Sequence, residues 1–370
     1  MRLSDVKKTK GYNSFIASLL AIALGLIFGL IVMIIANPLE AFPGFATILF
    51  AGFTDFATVL YFATPILMTG LAVGFAFKMG MFNIGASGQY TMGMFFAMYV
   101  GFMFPINSPL HWILCILAGM IGGMLWGAIP GIFKAFFNVN EVITSIMFNY
   151  IGMYLVDMAI QGNSKMYVPD MARTAYLPKS AQIFSLGIKG SNLNLSIIFA
   201  IIIAIILYVV LNKTTFGYEL KATGYNKHAS NYAGMNGKRN IILSMIIAGG
   251  LAGLGGAFAI LAPSTITGSS MTYEPINIIA ANGFNGIAVA LLGVSNPIGI
   301  IFSASFISLL QRGGTTASLY GFKPEIIDIV IAVIIYFSAF ATLMRETLSK
   351  FLSGKNKKAE LKAVSVREDK

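Results

Sequence analysis

Charged side chains are scarce in this sequence: aspartate, glutamate, lysine and arginine make up only 11% of its 370 residues. A soluble globular domain carries about 25% charged residues, because it must present a polar surface to water. Hydrophobic residues account for 57% of the chain. This composition excludes a soluble globular protein and predicts that lipid solvates much of the surface.

The chain also has few of the side chains on which metal, redox and catalytic centres depend. Cys115 is the only cysteine, so no intrachain disulfide can form, and His111 and His228 are the only histidines. Neither histidine stands in a spacing typical of a metal or catalytic site, and the sequence has no GxxxxGK[S/T] phosphate-binding loop. We therefore expect no catalysis, no bound metal or cofactor and no nucleotide hydrolysis in this chain.

Long apolar runs dominate what is present. A membrane-spanning helix needs about 20 apolar residues, and runs that meet or approach this length cover residues 14–36, 58–78, 84–104, 110–130, 141–160, 193–211, 240–263, 277–294, 297–311 and 324–344. They predict an all-α, polytopic membrane protein with about ten transmembrane helices in a membrane domain of residues 14–345. The first run is too long for a signal-peptide core, so we expect an uncleaved span. The apolar segment 45–57 is interrupted by Gly52 and Asp55 and is expected to form an interfacial or re-entrant helix.

The distribution of lysine and arginine predicts the orientation, because cytoplasmic segments are enriched in both. Ten spans place both termini on one side, and with this side in the cytoplasm most of the 25 basic residues lie inside. The exceptions are Lys165, Arg173, Lys179, Lys189, Arg312 and Lys323. The net charge of +11 therefore indicates cytoplasmic membrane edges, including the predicted cytoplasmic segments 1–13 and 346–370, and not nucleic-acid binding.

Two connections between the predicted spans are too long to be simple turns. Residues 161–192 form the outer one, which we expect to be an ordered external cap. Residues 212–239 form the inner one, which is polar and basic and lacks an apolar core. Loops of this length are more often functional than idle.

Polar side chains interrupt two apolar runs in the segment 82–89, which contains Asn83, Ser87 and Gln89 together with two glycines. Irregular backbone at membrane depth is tolerated where it is buried in protein or lines a wet cavity, and a broken helix exposes groups that bind polar ligands. The segment is therefore either part of a substrate pathway or an ordinary turn on the inner side.

A second polar cluster begins the fifth predicted span and contains Asn138, Asn140, Glu141, Thr144 and Asn149. Polar groups inside a membrane usually face the interior of the helix bundle, which favours a pathway role. The alternatives are that Asn138 and Asn140 are N-capping residues of the helix and that Glu141 forms a structural ion pair or cap. Asn282 and Asn285 in the eighth span are a further candidate patch.

Small residues recur at the four-residue spacing typical of close helix packing. Gly119, Gly123, Gly127 and Gly131 form one series, and Gly249 and Gly253 repeat the pattern. Glycines on one face let two helix backbones approach closely where lipid supplies no hydrophobic drive. We expect a packing interface here, either static or moving.

Four stretches together resemble the permease subunits of bacterial ABC importers, in the nucleoside and simple-sugar branch related to ribose and branched-chain amino-acid permeases. They are residues 76–78 with 82–89, residues 140–150, residues 286–293, and residues 215–226 continuing to 233–235. The similarity covers roughly residues 15–345, and the stretches occur in the family's order. Ser87 stands where glutamate is common in the family, and Tyr225 where an acidic residue is more usual.

The resemblance implies a non-catalytic, multi-pass permease of the bacterial cell membrane that is driven by ATP hydrolysis in another chain and works with three partners. These are a separate ABC ATPase, a second homologous permease chain in a heterodimer, and an extracellular substrate-binding lipoprotein. The inner loop would couple to the ATPase through Gly217, Glu219, Lys221, Gly224, Asn226 and Gly234. The cargo it implies is a nucleoside, followed by a simple sugar.

Two other classes of protein remain open from the residues themselves. An ion-coupled secondary transporter would need a titratable carboxylate at mid-membrane, for which Asp328 is better placed than Glu141. A structural or assembly membrane protein would carry no cargo at all.

Overall fold

The computed structural model describes Leu20 and residues 22–104, 106, 108–187, 192–263 and 270–339. The predicted cytoplasmic segments 1–13 and 346–370 lie outside these residues, as does most of the first third of the run 14–36. The described chain forms two compact units, one of residues 50–312 and one that joins residues up to 49 with those from 313 onward.

Helices make up most of the described chain, in agreement with the prediction from its apolar runs. In chain order they are α1 (Ile22–Ala36), α2 (Ala41–Thr54), α3 (Phe56–Lys78), α4 (Ala86–Met103), α5 (His111–Phe137), α6 (Glu141–Gln161), α7 (Ser196–Lys213), α8 (Thr215–Tyr225), α9 (Lys227–Tyr232), α10 (Gly237–Leu261), α11 (Ala281–Leu292), α12 (Pro297–Ala317) and α13 (Pro324–Ala339).

Five of the described helices are long and apolar enough to cross a membrane: α3, α5, α6, α7 and α10. The only sheet among the described residues joins β1 (Tyr167–Val168) to β2 (Arg173–Thr174), which are antiparallel with Tyr167 opposite Thr174. The fold is therefore all-α and of membrane type, as the composition predicts.

Some predicted boundaries are wrong. The run 110–130 stops at Pro130, but α5 continues through this proline to Phe137 and ends where Asn138 adopts a left-handed backbone with φ 53°. Asn138 is thus the residue that ends α5, and the prediction that it caps the next helix is wrong. The ninth run, 297–311, is similarly too short, because α12 extends to Ala317.

The apolar segment 45–57 contains a break between two helices. Asp55 separates α2 from α3 and caps the start of α3, since its Oδ1 accepts a hydrogen bond from Thr58 N at 3.2 Å. Its Oδ2 lies 3.2 Å from Arg312 Nη2 in α12. The acidic residue that interrupts the apolar pattern therefore begins α3 and ties it to α12.

Glycines form the centre of the larger unit, where α10 packs against α5 and α4. A Cβ on Gly123 would lie 2.2 Å from Gly249 O, and one on Gly93 would lie 2.2 Å from Gly253 Cα. Real side chains do not approach so closely, so only glycine permits this contact. The predicted packing role of the glycine series is confirmed, and backbone atoms are its contact surface.

The smaller unit pairs the two ends of the described chain. A Cβ on Gly25 in α1 would lie 2.8 Å from Ile334 Cα in α13, and Phe28 stacks on Phe337 with ring centroids 4.5 Å apart. Asp328 in α13 is exposed. Its carboxylate is therefore not buried within this unit.

Candidate functional site

The predicted polar segment runs from the connection after α3 into the first turn of α4, and its two amide side chains bind each other. Asn83 Nδ2 donates to Gln89 Oε1 at 2.9 Å, and Gln89 Nε2 donates to Asn83 Oδ1 at 3.0 Å. Both side chains are buried. A reciprocal amide pair satisfies one donor and one acceptor of each residue, which allows both to be buried at low cost.

Asn149 in α6 holds the same segment from the other side. Its Oδ1 accepts a hydrogen bond from Gly88 N at 2.8 Å, and its Nδ2 donates to Ile84 O at 3.0 Å. A Cβ on Gly88 would lie 2.9 Å from Asn149 Cα, so the glycine permits the approach. The structure thus joins Asn149 of the second polar cluster to the segment that contains Asn83 and Gln89.

Ser87 joins this segment to α11. Its hydroxyl donates to Ala280 O at the start of α11, and a Cβ on Gly283 would lie 2.2 Å from Ser87 Cα. The close approach therefore depends on glycine at position 283. A side chain at position 283 would collide with the backbone of α4 at Ser87.

Asn282 connects α11 to both α3 and α4. Its Nδ2 donates to Tyr90 Oη at 3.0 Å, and its backbone oxygen accepts from Thr69 Oγ1 at 2.8 Å. Asn285, its predicted companion, is partly buried one turn further along α11. Of the two, Asn282 is the residue that reaches a cavity.

This cavity has a volume of about 180 Å³ and is lined mainly by aromatic, apolar and amide side chains. Tyr61 contributes a buried hydroxyl that has no hydrogen-bond partner among the described residues. Unpartnered buried polar groups are rare and call for an explanation. The aromatic and amide side chains of its lining are Tyr61, Phe62, Tyr90, Phe258, Asn282 and Gln311.

Sequence reasoning found only Asn282 among these lining residues. The aromatic residues did not indicate a site in the sequence, because they lie within apolar runs, where aromatic side chains are typical of the buried core. Their convergence depends on how α3, α4 and α10 pack.

The segment 271–280, which precedes α11, is not helical, and Met271 and Thr272 line the cavity. α11 has only 12 residues, about 18 Å at 1.5 Å per residue, whereas the hydrocarbon core of a bilayer is about 30 Å thick. A span completed by irregular backbone must keep that backbone buried in protein or beside a cavity. The irregular segment before α11 meets this requirement at its start, where Met271 and Thr272 lie beside the cavity.

Asp157 in α6 fixes this irregular segment. Its Oδ1 accepts from Tyr273 Oη at 2.6 Å and its Oδ2 accepts from Asn277 N at 2.8 Å. Sequence reasoning missed Asp157, although it is the only acidic residue within the run 141–160 besides Glu141.

The remaining candidates at the start of α6 have structural partners. Asn140 caps the helix, since its Oδ1 accepts from Val142 N at 2.8 Å, and Thr144 Oγ1 donates to Asn140 O at 3.1 Å. Glu141 Oε2 lies 2.8 Å from Lys134 Nζ in α5. The helix-cap and ion-pair alternatives for Asn140 and Glu141 are therefore confirmed.

The inner connection 212–239 consists largely of two short helices, α8 and α9. Thr214 caps α8 and Asn226 caps α9, with Asn226 Oδ1 accepting from Ala229 N at 3.0 Å. A Cβ on Gly217 would lie 2.2 Å from Val210 O, so this glycine sets α8 against the end of α7. Gly234 follows α9 with φ 83°, a backbone conformation that favours glycine.

Both short helices present aromatic side chains outward. Tyr225 is 92% exposed and Tyr232 is 94% exposed. Glu219 is partly buried, and Lys221 Nζ donates to Asn212 Oδ1 at 3.0 Å. On the buried face of α8, Thr223 Oγ1 accepts from Asn240 Nδ2 at 3.0 Å, which attaches α8 to α10.

Comparison with known families identifies the architecture. The family described as branched-chain amino acid transport system, permease component, matches residues 55–339. The chain belongs to this permease family. The match begins at Asp55, the residue that caps α3, and includes all of the site described above.

Individual relatives match the permease over nearly its whole length. The guanosine ABC transporter permease protein NupP of Bacillus subtilis is 36% identical over 94% of this chain and 98% of NupP. The nucleoside ABC transporter permease protein NupB of Lactococcus lactis is 36% identical over 90% of this chain and 92% of NupB. A more distant relative is the guanosine ABC transporter permease protein NupQ of Bacillus subtilis, 25% identical over 76% of this chain and 87% of NupQ.

No solved structure matches the permease. Its family and its five long apolar helices make it a multi-pass protein of the plasma membrane. Relatives of this kind are transport components, and they work within ABC transporters.

Proposed function

We propose that this chain is a membrane-spanning permease subunit of an ATP-driven importer whose cargo is a nucleoside. The observation that carries the proposal is similarity over almost the whole chain to two permeases, one named for guanosine and one for nucleosides. ATP hydrolysis belongs to a separate ATPase chain in this proposal, and an extracellular binding lipoprotein delivers the cargo.

The chemistry of the cavity supports a nucleoside as cargo. Aromatic rings such as those of Tyr61, Phe62 and Tyr90 can stack on a base, and Asn282 and Gln311 carry amides that pair with base edges or ribose hydroxyls. The unpartnered Tyr61 hydroxyl offers a further hydrogen bond. A sugar would use the amides but gain less from the aromatic rings.

The size of the cavity supports a gated pathway. Its volume of about 180 Å³ is below the roughly 300–1,000 Å³ of ordinary ligand pockets. Entry of a nucleoside therefore requires movement of a wall. The segment 271–277 is the candidate wall, because it is irregular and is attached to α6 through Asp157.

The proposed topology has about ten spans with both termini in the cytoplasm. It is supported by helices at all ten apolar runs, namely α1, α3 to α7 and α10 to α13. It assigns α8 and α9 to the cytoplasm and the segment 161–192 to the outside. The basic residues of the inner connection accord with this assignment.

We further propose that residues 212–239 contact the ATPase, with Gly217, Glu219, Lys221, Gly224, Asn226 and Gly234 shaping or forming the contact. The exposed aromatic side chains of α8 and α9 support this, because such residues are enriched at protein interfaces.

The proposal of a second permease chain is supported by NupP and NupQ, two different proteins of one organism that are both named as guanosine ABC transporter permeases.

The test is uptake of radiolabelled guanosine by cells that lack other nucleoside transporters and express this chain with its ATPase, second permease and binding protein. We expect uptake to need all four chains, to fail when the ATPase cannot hydrolyse ATP, and to be competed by nucleosides but not by ribose or glucose. Competition by sugars alone would favour the sugar alternative. Loss of uptake on adding an uncoupler at constant ATP would favour an ion-coupled transporter.

A further inference from the structure

A second cavity lies where the ends of α3, α7 and α8 meet the start of α12, on the proposed cytoplasmic side. Its volume is about 530 Å³, within the roughly 300–1,000 Å³ typical of small-molecule sites. Lys78 from α3 and Lys221 from α8 both line it, together with Asn212, Tyr225 and Asn296. We call it the dilysine pocket.

The two lysines bring positive charge to this pocket without a compensating carboxylate. No aspartate or glutamate lines the pocket, and neither lysine takes part in an ion pair among the described residues. Glu219 stands two positions before Lys221 on α8, and residues two apart on a helix do not face the same side. Two cations that share a cavity favour the binding of an anion.

Each ammonium group also has hydrogen-bond donors to spare. Lys78 Nζ donates to Val294 O at 3.4 Å, and Lys221 Nζ donates to Asn212 Oδ1 at 3.0 Å. An ammonium group has three N–H donors, so these contacts with neutral oxygens leave two on each lysine. The start of α12 at Asn296 and Pro297 adds the positive end of a 21-residue helix to the pocket edge.

Backbone contact holds the two lysines in place. A Cβ on Gly224 would lie 2.6 Å from Met79 C, and one on Gly80 would lie 3.2 Å from Gly224 O. Gly80 has φ 74°, which turns the chain sharply two residues after Lys78. The end of α8 is therefore packed against the end of α3, and the pocket is formed before any ligand arrives.

We propose that the dilysine pocket binds a phosphate group, with Lys78 and Lys221 as its two cationic ligands. An anionic phospholipid headgroup at the membrane edge and a free phosphate ester in the cytoplasm share this chemistry. Because the pocket joins α8 to the transmembrane helices, its occupancy would stabilise the proposed ATPase contact.

The experiment uses the purified full-length chain and follows its thermal unfolding midpoint. One arm compares nanodiscs of phosphatidylcholine alone with nanodiscs that contain phosphatidylglycerol. The other adds glycerol 3-phosphate, with glycerol as its control, to the chain in neutral detergent. Stabilisation by phosphatidylglycerol alone identifies a lipid site, and stabilisation by glycerol 3-phosphate identifies a site for free phosphate esters. Stabilisation by neither probe overturns the proposal.

Variants decide whether the two lysines are responsible. Lys78→Gln combined with Lys221→Gln should weaken binding of the active probe at least about tenfold, and Lys221→Arg should retain it. Lys213→Gln removes the same charge one residue beyond Asn212, outside the pocket, and should leave binding unchanged. An equal loss in Lys213→Gln, or no loss in the double variant, would overturn the proposal.

Two further outcomes are covered by the same design. If the double variant does not fold, the single variant Lys221→Gln replaces it, because this side chain is only partly buried. Unchanged binding of the active probe by Lys221→Gln would then overturn the proposal. If the lysine variants weaken binding of the ATPase in the assembled transporter while no phosphate probe stabilises the isolated chain, the pocket receives a protein carboxylate and the proposal is wrong.

Discussion

The carboxylate of Asp157 in α6 accepts a hydrogen bond of 2.6 Å from the hydroxyl of Tyr273, a residue 116 positions later in the chain. The same carboxylate binds the backbone N–H of Asn277. It therefore holds two points of the irregular segment 271–280, whose beginning at Met271 and Thr272 lines the aromatic cavity. One buried carboxylate thus controls a wall of the proposed pathway.

Removal of this carboxylate should loosen that wall. Asp157→Ala leaves the partly buried Tyr273 hydroxyl and the backbone N–H of exposed Asn277 without this partner, at a combined cost of about 1–3 kcal/mol. We expect a lower thermal unfolding midpoint in detergent and faster proteolysis within residues 271–277. Glu274→Gln changes an exposed neighbour and should have neither effect, and a stable Asp157→Ala variant would show that the contact is unimportant.

Asn149 should be required for the connection between α3 and α4. Asn149→Ala removes the partners of the buried Gly88 N and the partly buried Ile84 O, and a buried N–H without a partner costs about 1–3 kcal/mol. The unfolding midpoint should fall, and uptake should be lost in the assembled transporter. Met147→Ala alters an exposed residue of the same helix and is the matched control. Equal stability of the two variants would contradict the proposed role.

The contact between α5 and α10 should not accept a single added methyl group. In Gly123→Ala the new Cβ meets a backbone oxygen at 2.2 Å, and overpacking of this kind costs about 1–3 kcal/mol. Gly162→Ala is the control, because Gly162 is exposed at the end of α6 with ordinary helical φ and ψ. The unfolding midpoints of the two variants should differ clearly, and a normal midpoint for Gly123→Ala would contradict the observed packing.

The hydroxyl of Tyr61 should act on cargo and not on folding. It has no partner among the described residues, so Tyr61→Phe should leave the unfolding midpoint unchanged or slightly higher. If the hydroxyl binds the nucleoside, the half-saturating guanosine concentration for uptake should rise about tenfold, which corresponds to one hydrogen bond of about 1.4 kcal/mol. Tyr99→Phe changes an exposed tyrosine of α4 and should not alter uptake. Unchanged uptake by Tyr61→Phe would remove this residue from the pathway.

The proposed orientation can be tested by cysteine labelling, because the one natural cysteine, Cys115, is buried and should give little background. Tyr225→Cys and Tyr232→Cys place a thiol at highly exposed positions of α8 and α9. A membrane-impermeant maleimide should label them in inverted vesicles but not in intact cells. Asp170→Cys in the outer connection should show the opposite pattern, and labelling of Tyr225→Cys from outside would overturn the topology.

The amino-acid sequence by itself determined the fold class and the approximate position of each apolar helix. This follows because, in hydrocarbon, the α-helix is the structure in which one segment satisfies all its own backbone hydrogen bonds. A run of about 20 apolar residues then marks where a helix can cross the bilayer. The sequence also determined that the glycine series packs helices, since a spacing of four places these residues on one face. Asp55 and Asn140 acted as helix caps through their own short-range hydrogen bonds, which are equally local.

Only the tertiary structure decided which polar residues meet. Asn149 lies about 60 positions from the backbone groups that it binds, and Tyr273 lies 116 positions from Asp157. Hydrophobic periodicity carries no information about such pairs, because an asparagine that binds backbone and one that lines a pathway look alike in a sequence. The same reason hid the aromatic cavity: Tyr61, Tyr90 and Phe258 line one cavity only because three helices bring their separate apolar faces together.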